Sequence, residues 1–205
     1  MNNILHITND FIAETGIKTY PIKLSDIQRI CDANGCQVLS YAEGDEMIKL
    51  LHLQPYLTHK AFTVSIPSEG IQAILYSETL TYGDRLFCLA HELGHHILRH
   101  SAFGGILGKA ENNELTTEQE READLFAYQL LAPMAVLRQE KAQTVTQIID
   151  LTLLDSERAE LIESRLHHYT PTKSDARLLS VIYGRKIRLS GWAWGIAAML
   201  PLILM

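Results

Sequence analysis

The sequence is short of cysteine and gives cysteine nothing to frame. Cys31, Cys36 and Cys88 are the only three in 205 residues. An odd, sparse set builds no disulfide framework, so the expected setting is a reducing interior. No second Cys/His pair matches Cys31 and Cys36 at zinc-finger spacing, and they read as small buried apolar side chains. A basic surplus is missing as well. The formal net charge of −6 gives no general pull toward nucleic acid or anionic lipid. The opening residues MNNILHI have neither a basic n-region nor a long apolar run, so no secretory signal is expected there. Internal repeats and low-complexity tracts are lacking too.

What is present suits one domain, or a domain with an appendage, large enough to bury a core. Ser25 to Ala33 reads as a helix capped by Ser25, with Ile27, Ile30 and Cys31 on one face. Asn34-Gly35 ends it, and Cys36 to Tyr41 follows as a strand. Ala61 to Ile66 and Ile71 to Tyr76 are short β-rich runs around the turn signal Pro67-Ser68-Glu69-Gly70. From Tyr82 to Leu98 the period turns helical, through Leu86, Leu89, Ala90, Leu93 and Ile97. Gly104, Gly105 and Gly108 mark a loop, and a second strong helix spans about Thr116 to Leu131, with Pro133 beyond it. Helical stretches at Val145 to Leu151 and Ser156 to Tyr169 come next, and Pro171 breaks the pattern. A few strands followed by several helices predict an α+β fold.

The chemistry concentrates in HELGH, residues His91 to His95. Residues four apart on a helix lie one turn above each other, so His91 and His95 can share one metal centre. Glu92 projects beside that centre, where it can take a proton from a water activated by zinc. Gly94 costs about 1 kcal/mol in a helix interior; a close approach by another backbone or a substrate would explain it, and so would a simple packing need. With nine histidines, a chance HExxH arises on the order of a few per cent of the time, so the second helix has to decide. Glu120 offers a third ligand there, and Asp124, one turn on, a carboxylate that would hold the ring of a histidine ligand. Ala123 and Ala127 leave room for the two helices to approach. Glu122 is the rival ligand; it lies about 200° around the helix from Glu120, off the alanine face, and Glu120 is favoured on that ground. His96 is rotated about 100° from His95 and reads as a packing histidine, and His100 as a bystander near the helix end. Tyr82, Tyr128, His167 and His168 are all open as oxyanion stabilisers.

The run YGDRLFCLAHELGHHIL, Tyr82 to Leu98, is similar to the core of the ImmA/IrrE-type metallopeptidases, and so is EREADLFAYQLLAP, Glu120 to Pro133, at the expected distance downstream. Pro21-Ile-Lys-Leu and the paired short strands also resemble that family, and the likeness covers roughly residues 15 to 169. It implies a small zincin-like domain of the glutamate-zincin kind over 1–169, with a short N-terminal β-sheet packed on the active-site helices. It implies zinc held by His91, His95 and Glu120, with Asp124 behind them and Glu92 as general base. Two positions depart from the family pattern: Asp124 stands where many relatives have Asn, and Ala132 where Met is more usual. Family members typically cleave or otherwise inactivate a helix-turn-helix repressor encoded beside them, often in phage or mobile genetic elements. The expected function is therefore a zinc endopeptidase with such a repressor as substrate. The alternatives are a non-catalytic zinc-containing module that sequesters the repressor, and a metal-free role for the histidines.

Thr144 to Leu166 has the outline of a helix-turn-helix, but Asp150, Asp155, Glu157, Glu160 and Glu163 crowd it against Arg158 and Arg165. A recognition helix needs a basic face, so no direct nucleic-acid binding is expected; the pair should pack on the core or dock the substrate protein. Residues 170–205 form an extension ending in the uncharged stretch LSGWAWGIAAMLPLILM, 189–205, behind Arg185, Lys186 and Arg188. As a helix it would span about 25 Å, short of a ~30 Å hydrocarbon core. Trp192, Trp194 and the basic flank suit an interface. The expectation is a cytoplasmic protein with a membrane-associated C-terminal anchor, against the alternative of a hydrophobic tail folded on the domain or a partner.

Overall fold

The β-rich stretches pair into one small mixed sheet. In the computed structural model, which describes residues 2–100, 105–106 and 117–184, β1 (Gln37–Ser40) runs parallel to β3 (Ile71–Tyr76). Strand β2 (Ala61–Ile66) lies antiparallel to β3 and pairs on its other edge with β4 (Gly105–Ile106), giving the order β1-β3-β2-β4. Gly105, expected in a loop, is thus part of a two-residue strand; Gly104 and Gly108 lie outside the described residues. Alternate side chains of a strand face opposite ways, and both faces of this sheet are covered. Phe62, Val64 and Leu75 form a small core with Ile48 and Leu53. Ile74 and Tyr76 belong to the main core under the helices. Thr63, between Phe62 and Val64, therefore points toward the helical side.

The nine helices among the described residues are α1 (Asn2–Thr15), α2 (Leu24–Ala33), α3 (Asp45–Leu50), α4 (Tyr82–Ile97), α5 (Thr117–Leu131), α6 (Met134–Gln139), α7 (Val145–Thr152), α8 (Ser156–Leu166) and α9 (Lys173–Tyr183). The helix-rich α+β class is as the sequence predicts. Ser25 does not cap α2, however. The helix begins at Leu24, and the Asp26 carboxylate reaches back to accept the Lys23 N–H at 2.9 Å. Helices α1, α3, α6 and α9 were not anticipated. The buried side of α1 runs through Ile4, Thr8, Asn9 and Ile12, so polar residues interrupt its apolar period. Their polarity is satisfied internally: the Thr8 hydroxyl donates to the Ile4 carbonyl at 2.8 Å.

Asn9 joins three helices. Gln129 Nε2 on α5 donates to Asn9 Oδ1 at 2.6 Å, and Asn9 Nδ2 donates to Asp175 Oδ1 on α9 at 2.9 Å. All three side chains are buried, where an unpaired polar group would be costly. Helix α9 lies beyond residue 169 and sends Leu178, Leu179 and Ile182 into the main core.

Helix α4 packs most extensively against α5, and Gly94 is where they meet. A Cβ there would lie 3.2 Å from the Ala123 carbonyl oxygen and 3.1 Å from Phe126 Cδ1. The glycine thus serves the approach of a neighbouring helix. Near the other end of α4, a Cβ on Gly83 would sit 2.9 Å from the Leu153 carbonyl oxygen, so the α7–α8 turn lies directly on it. The acidic helical pair is part of the core packing. Among the described residues no helix is long and apolar enough to cross a membrane. The 189–205 stretch lies outside the described residues.

Candidate metal centre

Thr81 starts α4, its hydroxyl accepting the Asp84 N–H at 3.2 Å, as a side-chain oxygen before a helix commonly does. Two and a half turns on, His91 and His95 stack on one face with their Nε2 atoms 3.0 Å apart. From α5, Glu120 brings Oε2 to 3.3 Å from His91 Nε2 and Oε1 to 3.6 Å from His95 Nε2. Ligand atoms about 2.0–2.1 Å from a tetrahedral zinc stand roughly 3.3 Å from one another, and these separations bracket that value. Two imidazoles and a carboxylate are also a donor set that zinc accepts while keeping a fourth position open. The residues fit the ion, and His91, His95 and Glu120 could hold it. Asp124 lies against the far side of His91, with Oδ1 2.9 Å from Nδ1. Accepting the Nδ1 proton there leaves the Nε2 lone pair facing the centre.

Glu92 is half-buried beside this cluster, and the Thr63 hydroxyl of β2 donates to its Oε2 at 2.8 Å. Glu92 borders a cavity of about 490 Å³, whose lining also includes His91, His95, Glu120 and Asp124. The rest of the lining includes Tyr56, His59, Lys60, Phe87, Cys88 and Arg158. Arg158 is held in place by Asp84, at 3.2 Å, and by Asp155, with its guanidinium 4.3 Å above the Phe87 ring. Lys60 and Arg158 give the cavity cationic groups, and Tyr56 and His59 add hydrogen-bonding ones.

Charge in the cluster is divided unevenly. Burial would lower the His91 imidazolium, but the hydrogen bonds it donates to Asp124 and Glu120 outweigh it and raise the group to about 9. Burial, reinforced by the neighbouring His91 charge, pushes His95 well below its ordinary value. The hydrogen bond with His91 holds the Glu120 carboxyl low. Burial pushes Glu92 up, against the pull of His91 and the Thr63 hydrogen bond. A carboxylate with a raised pKa is a better base near neutral pH.

His100, read from the sequence as a bystander, is outside the three-residue cluster but packs behind His95. It is buried, its Nδ1 lies 3.1 Å from His95 Nδ1, and its Nε2 lies 3.0 Å from Glu122 Oε2. Glu122, the rival ligand, faces His100 and is not in the three-residue cluster. His96 turns away, with Nδ1 2.7 Å from Gln72 Nε2 and Nε2 3.2 Å from the Asn34 carbonyl oxygen. None of the four oxyanion candidates lines the cavity. The Tyr82 hydroxyl accepts the Leu24 N–H at 3.2 Å, and Tyr128 packs on Phe87 at 4.9 Å between centroids. Polar donors that do line the cavity are Arg158 and, from a segment with no helical or strand period to betray it, Tyr56, His59 and Lys60.

A peptidase M78 family model, described as the IrrE N-terminal-like domain, matches residues 31–161, more than half of the chain. No curated protein matches the chain, and no solved structure does.

Proposed function

The chain belongs to the M78 peptidase family, and from that premise we propose that it is a zinc-dependent endopeptidase with His91, His95 and Glu120 as ligands and Glu92 as general base. The observation that carries the reading is the convergence of the three ligand groups at the wall of a cavity that Glu92 also borders. When bound by His91, His95 and Glu120, zinc would supply the Lewis acidity that a peptide carbonyl and a water nucleophile need near neutral pH. Glu92 takes the proton of the attacking water and passes it to the leaving amine. Thr63 fixes Oε2 of that carboxylate, which leaves the proton traffic to Oε1. Lys60, His59 and Arg158 face the substrate backbone across the cavity. The substrate is a helix-turn-helix repressor, a reading supported by the resemblance of the two motifs to repressor-inactivating peptidases. Three free cysteines suit a reducing cytoplasm.

The test is Glu92→Gln, assayed with a helix-turn-helix regulator encoded beside the chain and mass spectrometry of the products. The variant should hold about one equivalent of zinc while cleavage falls by about 10²–10⁴-fold. If it relieved repression as well as the parent, the protein would act by binding alone. A parent with no zinc would remove the metal reading altogether.

A further inference from the structure

The way α4 ends places a second imidazole directly behind a proposed ligand. Arg99 adopts a left-handed conformation with φ 57°. The His100 N–H then bonds the His95 carbonyl at 3.0 Å, and the Arg99 N–H bonds the His96 carbonyl at 3.2 Å. This pair of bonds is the Schellman closure of a helix, in which the second residue past the cap folds back over the residue that opens the last turn. An apolar contact usually fills that place. Here it is filled by two imidazoles, with ring centroids 5.2 Å apart.

We infer that His100 and Glu122 form a relay that positions His95, fixing its tautomer so that Nε2 is presented to the metal. The inference rests on the metallopeptidase reading above. If Nε2 of His95 is the ligand atom, its Nδ1 must carry the proton and donate it. The acceptor at 3.1 Å is His100 Nδ1, so the His100 proton resides on Nε2 and is donated to Glu122 Oε2 at 3.0 Å. Each step fixes the next, and every nitrogen in the chain has a single role. His91 has its own support in Asp124, 2.9 Å from Nδ1. The two ligands are thereby oriented from opposite sides by independent carboxylates, one direct and one through an imidazole. Gln119 Nε2, 3.3 Å from the His100 carbonyl oxygen, ties the relay to the first turn of α5, which also carries Glu120.

Packing alone and positioning make opposite predictions for two substitutions. His100→Leu fills the buried site with an apolar side chain but removes the acceptor. His100→Asn packs less well and keeps an amide oxygen near the place of Nδ1. Zinc affinity of the full-length chain is measured by competition with a chromophoric chelator, with circular dichroism of the metal-free form reporting the fold. Loss of a partner behind a metal-bound imidazole weakens binding by about 10–100-fold, so His100→Leu should show that loss and His100→Asn a smaller one. Glu122→Leu, at a more accessible position, should weaken zinc binding in the same direction with the fold intact, and it decides the matter if His100→Leu does not fold. Zinc held as tightly by folded His100→Leu as by the parent, or by Glu122→Leu as by the parent, overturns the relay. So does His100→Asn binding no better than His100→Leu. In each of those cases the parent still binds zinc; a parent that binds none overturns the metallopeptidase reading and the relay together.

Discussion

At the scale of single residues, the two histidines of HELGH would meet a metal in different states. His91 is raised from 6.5 to about 9, so in the metal-free chain at neutral pH it is an imidazolium paired with Asp124 and Glu120. Its folded value lies above its ordinary one. The stabilisation it lends is therefore complete below about 6.5 and is lost as pH rises through about 9. His95 is pushed the other way and is already neutral. Zinc needs both rings neutral, so uptake near pH 7 should expel about one proton, from His91, and close to none well above pH 9. Calorimetry in buffers of different ionisation enthalpy reads this directly; a buffer-independent heat at pH 7 would contradict it. Much of the cluster was legible because it is local. His91, Glu92 and His95 are fixed by the helical period, and Glu120 and Asp124 by the same rule on the next helix. The His100–Glu122 contact was not legible, because it depends on Arg99 taking a left-handed turn that sequences usually signal with glycine.

At the scale of elements, the proposed centre depends on how closely α4 and α5 approach, since each carries side chains that could hold the ion. Gly94→Ala should gain up to about 1 kcal/mol in helix propensity. The added methyl would press on the Ala123 carbonyl and Phe126, both within 3.2 Å, and overpacking of this kind costs about 1–3 kcal/mol. A net loss of about 1 kcal/mol is expected, with weaker zinc binding as α5 and Glu120 are displaced. Denaturant midpoints and chelator competition report the two effects, and a variant as stable and as tight as the parent would show that the approach is not limiting. The sheet was readable for a related reason: β2 and β3 are short β-branched runs around a strong turn signal. Helix α1 was hidden because its inner face carries Thr8 and Asn9, whose burial is repaired only by partners distant in sequence.

At the scale of the molecule, those partners make the first and last described helices one structural unit. A chain ending after Gly184 keeps α9 and should retain a cooperative thermal transition. A chain ending after Thr170 loses the burial of Leu178, Leu179 and Ile182, worth about 1.5–3 kcal/mol each, and leaves Asn9 without Asp175. That sum rivals the roughly 5–15 kcal/mol by which a domain is stable, so no cooperative thermal transition is expected from the shorter chain. Calorimetric scans of both would decide, and a cooperative transition in the shorter one would contradict the role given to α9. The same hydrogen bond has a bearing on synthesis. Asn9 and Asp175 are 166 residues apart, and at a translation rate of 5–20 residues per second the second follows the first by about ten to thirty seconds. Only in the last part of that interval, after Leu131, does the nascent chain contain both helices that carry the proposed ligands, and α5 then still lacks the clasp that α1 and α9 jointly provide. Completion of the fold around the proposed centre therefore waits on α9, the last of the described helices, to leave the ribosome.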